Sequence, residues 1–221
     1  EVKKNDYYDK KKINETISDY ECEKKWKLNK KQIQAIHSSL KYKFGMISGY
    51  PGTGKSTIID VIGRYLCKYK DFGKKEDENN INLMTPTGTA IKGLKRKCTF
   101  DYSIASTIHK ALYTYKTSRK SSLRTFTNVV IIDEASMIDI FLFEEIINYC
   151  KWEGCALILV GDIHQLPPIG CGIPFESFGT FAKIQEHILE NDSLLVFMAS
   201  GTHKIKKKAE QIACELPLGK L

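Results

Sequence analysis

The chain has no apolar run near the ~20 residues that a membrane span needs; its longest apolar stretches are the length of strands. Its first residues, Glu1-Val-Lys-Lys-Asn-Asp-Tyr-Tyr-Asp9, hold no apolar signal core, so secretion is not supported. They also lack an initiator Met, and the chain is expected to be a piece of a longer one. The seven cysteines (Cys22, Cys67, Cys98, Cys150, Cys155, Cys171 and Cys214) are odd in number and include no C-x-x-C pair. That spacing argues against a zinc site and against a secreted disulfide framework. It predicts reduced thiols in an intracellular compartment, cytoplasm or nucleus. No internal repeat is present, which removes solenoids and propellers.

What remains is ordinary for a globular protein. The 221 residues suffice for one large domain that buries roughly 70% of its unfolded surface without metal or disulfide staples. The net charge of +8 has two readings, a lysine-rich solvated surface or a partner with a phosphate backbone. Composition alone does not choose between them.

Along the chain, residues 1–27 form a charged lead-in, expected to be poorly ordered or loosely helical. Asn29 can cap a helix that carries Ile33, Ile36 and Leu40 on one face. Phe44–Ser48 reads as a buried strand, followed by a Gly-rich turn and by a helix with Ile58, Ile59, Val61, Ile62, Tyr65, Leu66 and Tyr69 at helical spacing. Lys74–Asn80 reads as a polar loop, Ile81–Thr85 as a strand and Gly88–Lys97 as a helix. Tyr113–Thr127 is expected to be an irregular basic excursion. Val129–Ile132 and Ala156–Val160 are strands on either side of a helix over Phe141–Tyr149, and Ile184–Glu190 is a last helix candidate. Strands apolar throughout and alternating with helices predict an α/β fold: a mainly parallel sheet with helices on both faces.

Three segments carry chemistry, each at the end of an apolar strand. The first is Gly49-Tyr-Pro51-Gly52-Thr53-Gly54-Lys55-Ser56, a complete G-x4-G-K-[ST] between a strand and an amphipathic helix. Its glycines let backbone N–H groups wrap a phosphate chain at a helix N-terminus. Lys55 supplies a point charge to the outer phosphates, and Ser56 a hydroxyl for Mg²⁺. Thr57 completes the set Gly49, Pro51, Gly52, Thr53, Gly54, Lys55, Ser56 and Thr57 expected to hold the nucleotide. The second is Val129-Val-Ile-Ile-Asp133-Glu134: Asp133 is placed to hold Mg²⁺ through water, and Glu134 to accept the proton of an attacking water. The third is Gly161-Asp-Ile-His-Gln165-Leu-Pro-Pro-Ile-Gly170-Cys-Gly172-Ile-Pro-Phe175. Here Gln165 reaches the crevice where ligands bind in open α/β sheets, and Pro167-Pro168 stiffen the loop.

In order and wording these segments resemble the motifs of superfamily 1 helicases, specifically the RecD-like and Pif-type 5′-to-3′ branch. Gly49–Ser56 resembles motif I, Asp133-Glu134-Ala-Ser-Met137 motif II, and Gly161–Phe175 motif III at nearly every position. Thr85-Pro86-Thr87-Gly88-Thr89-Ala90 is similar to motif Ia, Ser106-Thr107-Ile108-His109 to motif Ib, and Leu28-Asn29-Lys-Lys-Gln32 to the adenine-reading Q motif. The resemblance covers residues 28–182 and implies a RecA-like P-loop NTPase domain that uses ATP and Mg²⁺. It implies that Gln32 bonds adenine, that Lys55, Ser56, Asp133, Glu134 and Gln165 form the ATPase site, and that Pro86, Thr87, Thr107 and His109 line the path of single-stranded DNA, or of RNA in some members. Basic residues at 92, 95–97, 116, 119, 120 and 124 would extend that track.

Two departures matter. Motif Ia usually has a basic residue where this chain has Thr89. Beyond Arg124 there is no arginine, and residues 183–221 hold no recognisable helicase motif. The resemblance therefore implies a motor domain cut short of its second RecA-like domain, which would act in cis or in trans and supply an arginine finger. On that reading the chain alone hydrolyses ATP weakly and unwinds nothing. The alternatives are a nucleotide-dependent binding module that takes its arginine from a partner, an RNA-acting relative, or a degenerate remnant. Intact Lys55, Asp133, Glu134 and Gln165 argue against the last.

Overall fold

Five parallel strands, β1 (Phe44–Ser48), β2 (Ile81–Thr85), β3 (Ile104–Thr107), β4 (Val129–Ile132) and β5 (Ala156–Gly161), form one sheet in the order β1-β5-β4-β2-β3 in the computed structural model. The structure describes residues 5, 7–69, 81–100, 104–120 and 128–178. The expected loop at 74–80, the helix candidate Ile184–Glu190 and the rest of 183–221 lie outside these residues. Six helices, α1 (Lys10–Lys24), α2 (Lys30–Lys41), α3 (Lys55–Lys68), α4 (Gly88–Lys97), α5 (Ile108–Lys120) and α6 (Ile140–Glu153), accompany the strands, with a short 3₁₀ turn at Ala135–Met137. No helix among the described residues is long and apolar enough to cross a membrane.

The apolar runs become central strands because both faces are covered. Val129, Ile131, Ala156, Ile158 and Val160 enter a core with residues of α1, α2, α3 and α4. Their neighbours Val130, Ile132, Leu157 and Leu159 enter a second core with α5, α6, Phe175 and Phe178. Alternation along each strand therefore divides two apolar layers, where a one-faced sheet would need polar residues.

Three elements differ from expectation. The lead-in is a well-formed helix: Asp9 caps α1 by accepting the Lys11 and Lys12 N–H groups, and Lys25 ends it in the left-handed region at φ 58°. Ile13, Thr16, Ile17 and Tyr20 are buried on one side of it, against α3. Arg64 of α3 adds a charge pair to Glu23 and lies 4.9 Å from the Tyr20 ring, and Lys68 meets Asp19 at 2.7 Å. Such exposed pairs contribute only about 0–1 kcal/mol each. Burial of Ile13, Ile17 and Tyr20, worth roughly 1.5–3 kcal/mol per large apolar side chain, is what seats the helix. Residues 113–120 are helical rather than irregular, because Ile108, Ala111, Leu112 and Tyr115 make one buried stripe of α5. Finally, β3 was not expected. Among the described residues it is an edge strand of four residues paired with β2, Thr85 opposite Thr107.

Candidate active site

The register sets the site. Ser48 of β1 lies opposite Gly161 of β5, and Leu159 of β5 opposite Ile132 of β4. One residue further, Gly49 N–H donates to Gly161 O (3.1 Å) and Asp133 N–H to Met84 O (3.0 Å). The loops bearing Lys55, Asp133-Glu134 and Gln165 thus leave the same edge of three adjacent strands, the carboxyl edge where α/β sheets bind ligands.

The loop 49–54 is folded around its own carbonyls. Thr53 Oγ donates to Tyr50 O (2.7 Å), and Lys55 Nζ donates to Gly49 O (2.6 Å) and Tyr50 O (3.2 Å). Gly54 precedes α3 at φ 88°, a left-handed conformation, and a Cβ there would lie 2.5 Å from Gln32 Nε2. No side chain caps α3. Its N–H groups and the positive end of its dipole therefore face the loop, as an anion site requires. Pro51 and Gly52 form the exposed rim, while Ser56 and Thr57 sit in the first turn. Gln32 is engaged twice: its Oε1 accepts Asn29 N–H (2.9 Å) in a capping box, and its Nε2 donates to Thr53 O (3.0 Å). It fastens α2 to the loop.

Asp133 follows β4 half-buried, and desolvation pushes its carboxyl above the usual range. Its Oδ1 accepts the Glu134 N–H at 3.0 Å, and the charges of Lys55 and Lys97 act on it in the opposite sense. Glu134 takes a left-handed φ of 57° and leads directly into the 3₁₀ turn. A non-glycine residue in that region costs about 1–3 kcal/mol, strain typical of a side chain held for a task. Gln165 is set by a tight turn in which buried Asp162 accepts the His164 N–H (2.9 Å) and the Gln165 N–H meets Asp162 O (3.1 Å). Ser136 Oγ reaches Gln165 Oε1 at 3.4 Å, joining the second segment to the third. The Tyr50 and His164 rings stack at 4.8 Å and 5°, joining the first segment to the third. The oxygens of Ser56 and Asp133 are hard donors of the kind Mg²⁺ takes, and the half-buried Asp133 carboxylate accepts the Glu134 N–H on one oxygen, which leaves acceptor capacity for a cation.

From the other side, α4 ends at this site. Lys97 Nζ lies 3.4 Å from Ser56 Oγ. The next residue, Cys98, is a protonated thiol pushed up to about 12 by burial and then by the charges of Asp60 and Asp133.

Pro86 and Thr87 follow β2, Thr107 ends β3 and His109 opens α5, so all four lie at the same sheet edge, beyond β4 from the loop 49–54. Thr87 caps α4 by accepting Ala90 N–H (3.2 Å), and Thr107 accepts Lys110 N–H (3.4 Å). Thr87 and His109 are exposed.

The AAA domain family matches residues 32–171, more than half of the chain. The chain belongs to this family, in its superfamily 1B, RecD- and Pif-like helicase group. It is 34% identical over 157 residues to the RecBCD enzyme subunit RecD of Buchnera aphidicola, covering 62% of this chain and 25% of that one. To the ATP-dependent DNA helicase PIF1 of Emericella nidulans it is 27% identical over 190 residues, covering 79% of this chain and 24% of that one. The chain spans less than a third of the length of these curated relatives. Among solved structures, the UvsW helicase of bacteriophage T4 shares the fold at a TM-score of 0.51 and 14% identity, covering 74% of this chain and 64% of that one.

Within this AAA domain, three contacts had no separate signal in the sequence: the Tyr50–His164 stack, the Ser136–Gln165 bond and the Lys97–Ser56 approach. All three join residues far apart along the chain, the Ser136–Gln165 pair by 29 positions and the Lys97–Ser56 pair by 41, and the tertiary fold makes them neighbours. Lys97 read as one of a run of basic residues that extend a nucleic-acid track, and the structure also brings its ammonium to the first turn of α3.

Proposed function

We propose that this domain binds ATP with Mg²⁺ and hydrolyses it as the motor domain of a 5′-to-3′ helicase acting on single-stranded DNA. One observation carries the reading: Lys55 and Ser56 at an uncapped helix N-terminus, the Asp133-Glu134 pair and Gln165 stand on three adjacent strand ends. The ATPase domain is taken as residues 28–182. Lys55 leaves its loop carbonyls for the outer phosphates, and backbone N–H groups of residues 52–57 bind the chain of oxygens. Ser56 and Asp133 hold Mg²⁺, which when bound neutralises charge developing on the phosphoryl group. Glu134 takes the proton of the attacking water, and Gln165, braced by Ser136, orients that water. Gln32 reads the adenine edge after exchanging its bond to Thr53. Pro86, Thr87, Thr107 and His109 track single-stranded DNA along the same sheet edge.

The relatives named as DNA helicases support the substrate, and the polarity rests on the resemblance of the motifs alone. No arginine follows Arg124, and Arg64 is committed to Glu23 and Thr99. A second RecA-like domain, in cis or trans, supplies the arginine finger, a group worth about 10³–10⁵ in rate in related phosphoryl-transfer enzymes. The test is ATP turnover with and without single-stranded DNA, with and without such a domain. Slow turnover that rises with both supports the reading. Turnover indifferent to single strands but raised by a protein partner would replace it with a partner-docking module.

A further inference from the structure

Ser56, Asp60 and Gly63 recur at intervals of four and three along α3 and so share one face of it. The chain leaving α4 runs along that face. Lys97 Nζ meets Ser56 Oγ at 3.4 Å. Thr99 binds Asp60 with its N–H at 2.6 Å and with its hydroxyl at 3.0 Å. The Phe100 ring covers Gly63 so closely that a Cβ there would stand 2.2 Å from it. Asp60 and Phe100 are buried, and Asp60 also faces Arg64 Nε at 3.6 Å. Cys98 N–H closes α4 on Leu94 O at 3.0 Å. The backbone on both sides of Lys97 is therefore pinned, and only its side chain is free to move. The last turn of α4 holds three basic residues, Lys95, Arg96 and Lys97, any of which would serve the helix dipole. Lys97 is the one whose ammonium reaches the P-loop helix, and its charge is also felt at Asp133.

We propose that Lys97 is a second lysine of the nucleotide site, delivered by the helix after motif Ia to bind the terminal phosphate of ATP opposite Lys55. The inference rests on the nucleotide reading above. Its physical reason is charge balance. Asp133 and Glu134 bring two carboxylates to a site that must accept a polyanion, and Lys55 with one divalent ion leaves that anion incompletely neutralised. A compact ammonium on a long stem, anchored at its base, meets that need. It can leave Ser56 for a phosphate oxygen without moving α4.

Lys97→Met, Lys97→Arg and Lys55→Ala are to be titrated with fluorescent ATP and ADP analogues in the presence of Mg²⁺, with thermal melts confirming that each variant is folded. Lys97→Met is expected to weaken ATP by about ten- to a hundred-fold, the worth of a charge-assisted hydrogen bond. ADP should change by much less, Lys97→Arg should restore most of the loss, and the melting temperature should not move. Equal affinity of Lys97→Met and wild type for ATP would overturn the proposal, as would equal losses for ATP and ADP. Tighter binding of ATP with Mg²⁺ would overturn it too, making Lys97 a competitor of the metal at Ser56. If Lys55→Ala alone weakens binding, Lys97 is out and the nucleotide site stands. If the wild type binds neither nucleotide, or Lys55→Ala binds as well as wild type, the site reading itself falls, and the Lys97 proposal with it.

Discussion

The two halves of the sheet's carboxyl edge are built differently. On the β1-β5-β4 side the key groups hold one another: Gln32 on Thr53, Lys55 on Gly49, Tyr50 on His164, Ser136 on Gln165 and Lys97 on Ser56. On the β2-β3 side Thr87 and Thr107 bond to their own chain neighbours. Thr87 caps α4, Thr107 bonds the first turn of α5, and His109 stands exposed. A phosphate chain of fixed geometry needs a cradle shaped in advance, whereas a strand of variable sequence is gripped through its backbone by groups free to adjust.

The sharpest break in the comparison is Glu134→Gln. It should cut single-strand-stimulated turnover by about 10²–10⁴-fold while leaving nucleotide affinity intact, read by steady-state hydrolysis beside a binding titration. Retained turnover would remove Glu134 as the base.

Stability should respond with opposite sign at the two ends. Thr87→Ala removes a helix cap and should cost about 1 kcal/mol, with Thr87→Ser recovering it. Asp133→Asn removes a half-buried, partly desolvated charge and should add about 1 kcal/mol to the metal-free protein while abolishing hydrolysis. The pH dependence follows from the same shift. Burial raises the folded-state pKa of Asp133 above its ordinary 3.8, so the native state binds more protons and this group makes stability fall as pH rises through that interval. The melting advantage of Asp133→Asn should vanish below pH 3.8 and open above it, other carboxylates cancelling in the difference. A gap constant with pH would mean that the gain has another origin.

A smaller effect is expected at His109. Its replacement by Ala should weaken single-stranded DNA about three-fold, the low end of one hydrogen bond, with ATP affinity and melting temperature unchanged. The smallest lies outside both ends, at α1. Arg64 holds the Glu23 carboxyl down to about 2 from 4.5, so the stability from this pair is present above pH 4.5 and lost as pH falls toward 2. The pair is exposed, so the difference between Glu23→Ala and wild type should also shrink in 1 M salt.

The central strands were legible because burial on both faces makes them apolar throughout, and turn residues bound them. Gly88–Lys97 emerged at its sequence-derived limits because Thr87 caps one end and a β-conformation at Cys98 ends the other. What was not legible depended on neighbours. The Ile13, Ile17, Tyr20 stripe of α1 is thin among lysines and makes sense only once α3 offers it a partner. The stripe of α5 was hidden by the polar face it also carries, and β3 by its length. The strand-end residues were named from their motifs, but their mutual bonds depend on β5 lying between β1 and β4, which no local pattern encodes.

That insertion of β5 has a consequence for the order of folding. The loop 49–54 begins on a hydrogen bond to Gly161, and Ile163 N–H meets Ser48 Oγ across 115 positions of chain. The first of the three chemical segments along the chain is thus completed by the last. Contacts of such separation are slow to form because loop closure precedes any gain from them. Nucleotide affinity should therefore appear late in refolding, after helical signal has returned, and serve as a reporter that the whole sheet is closed.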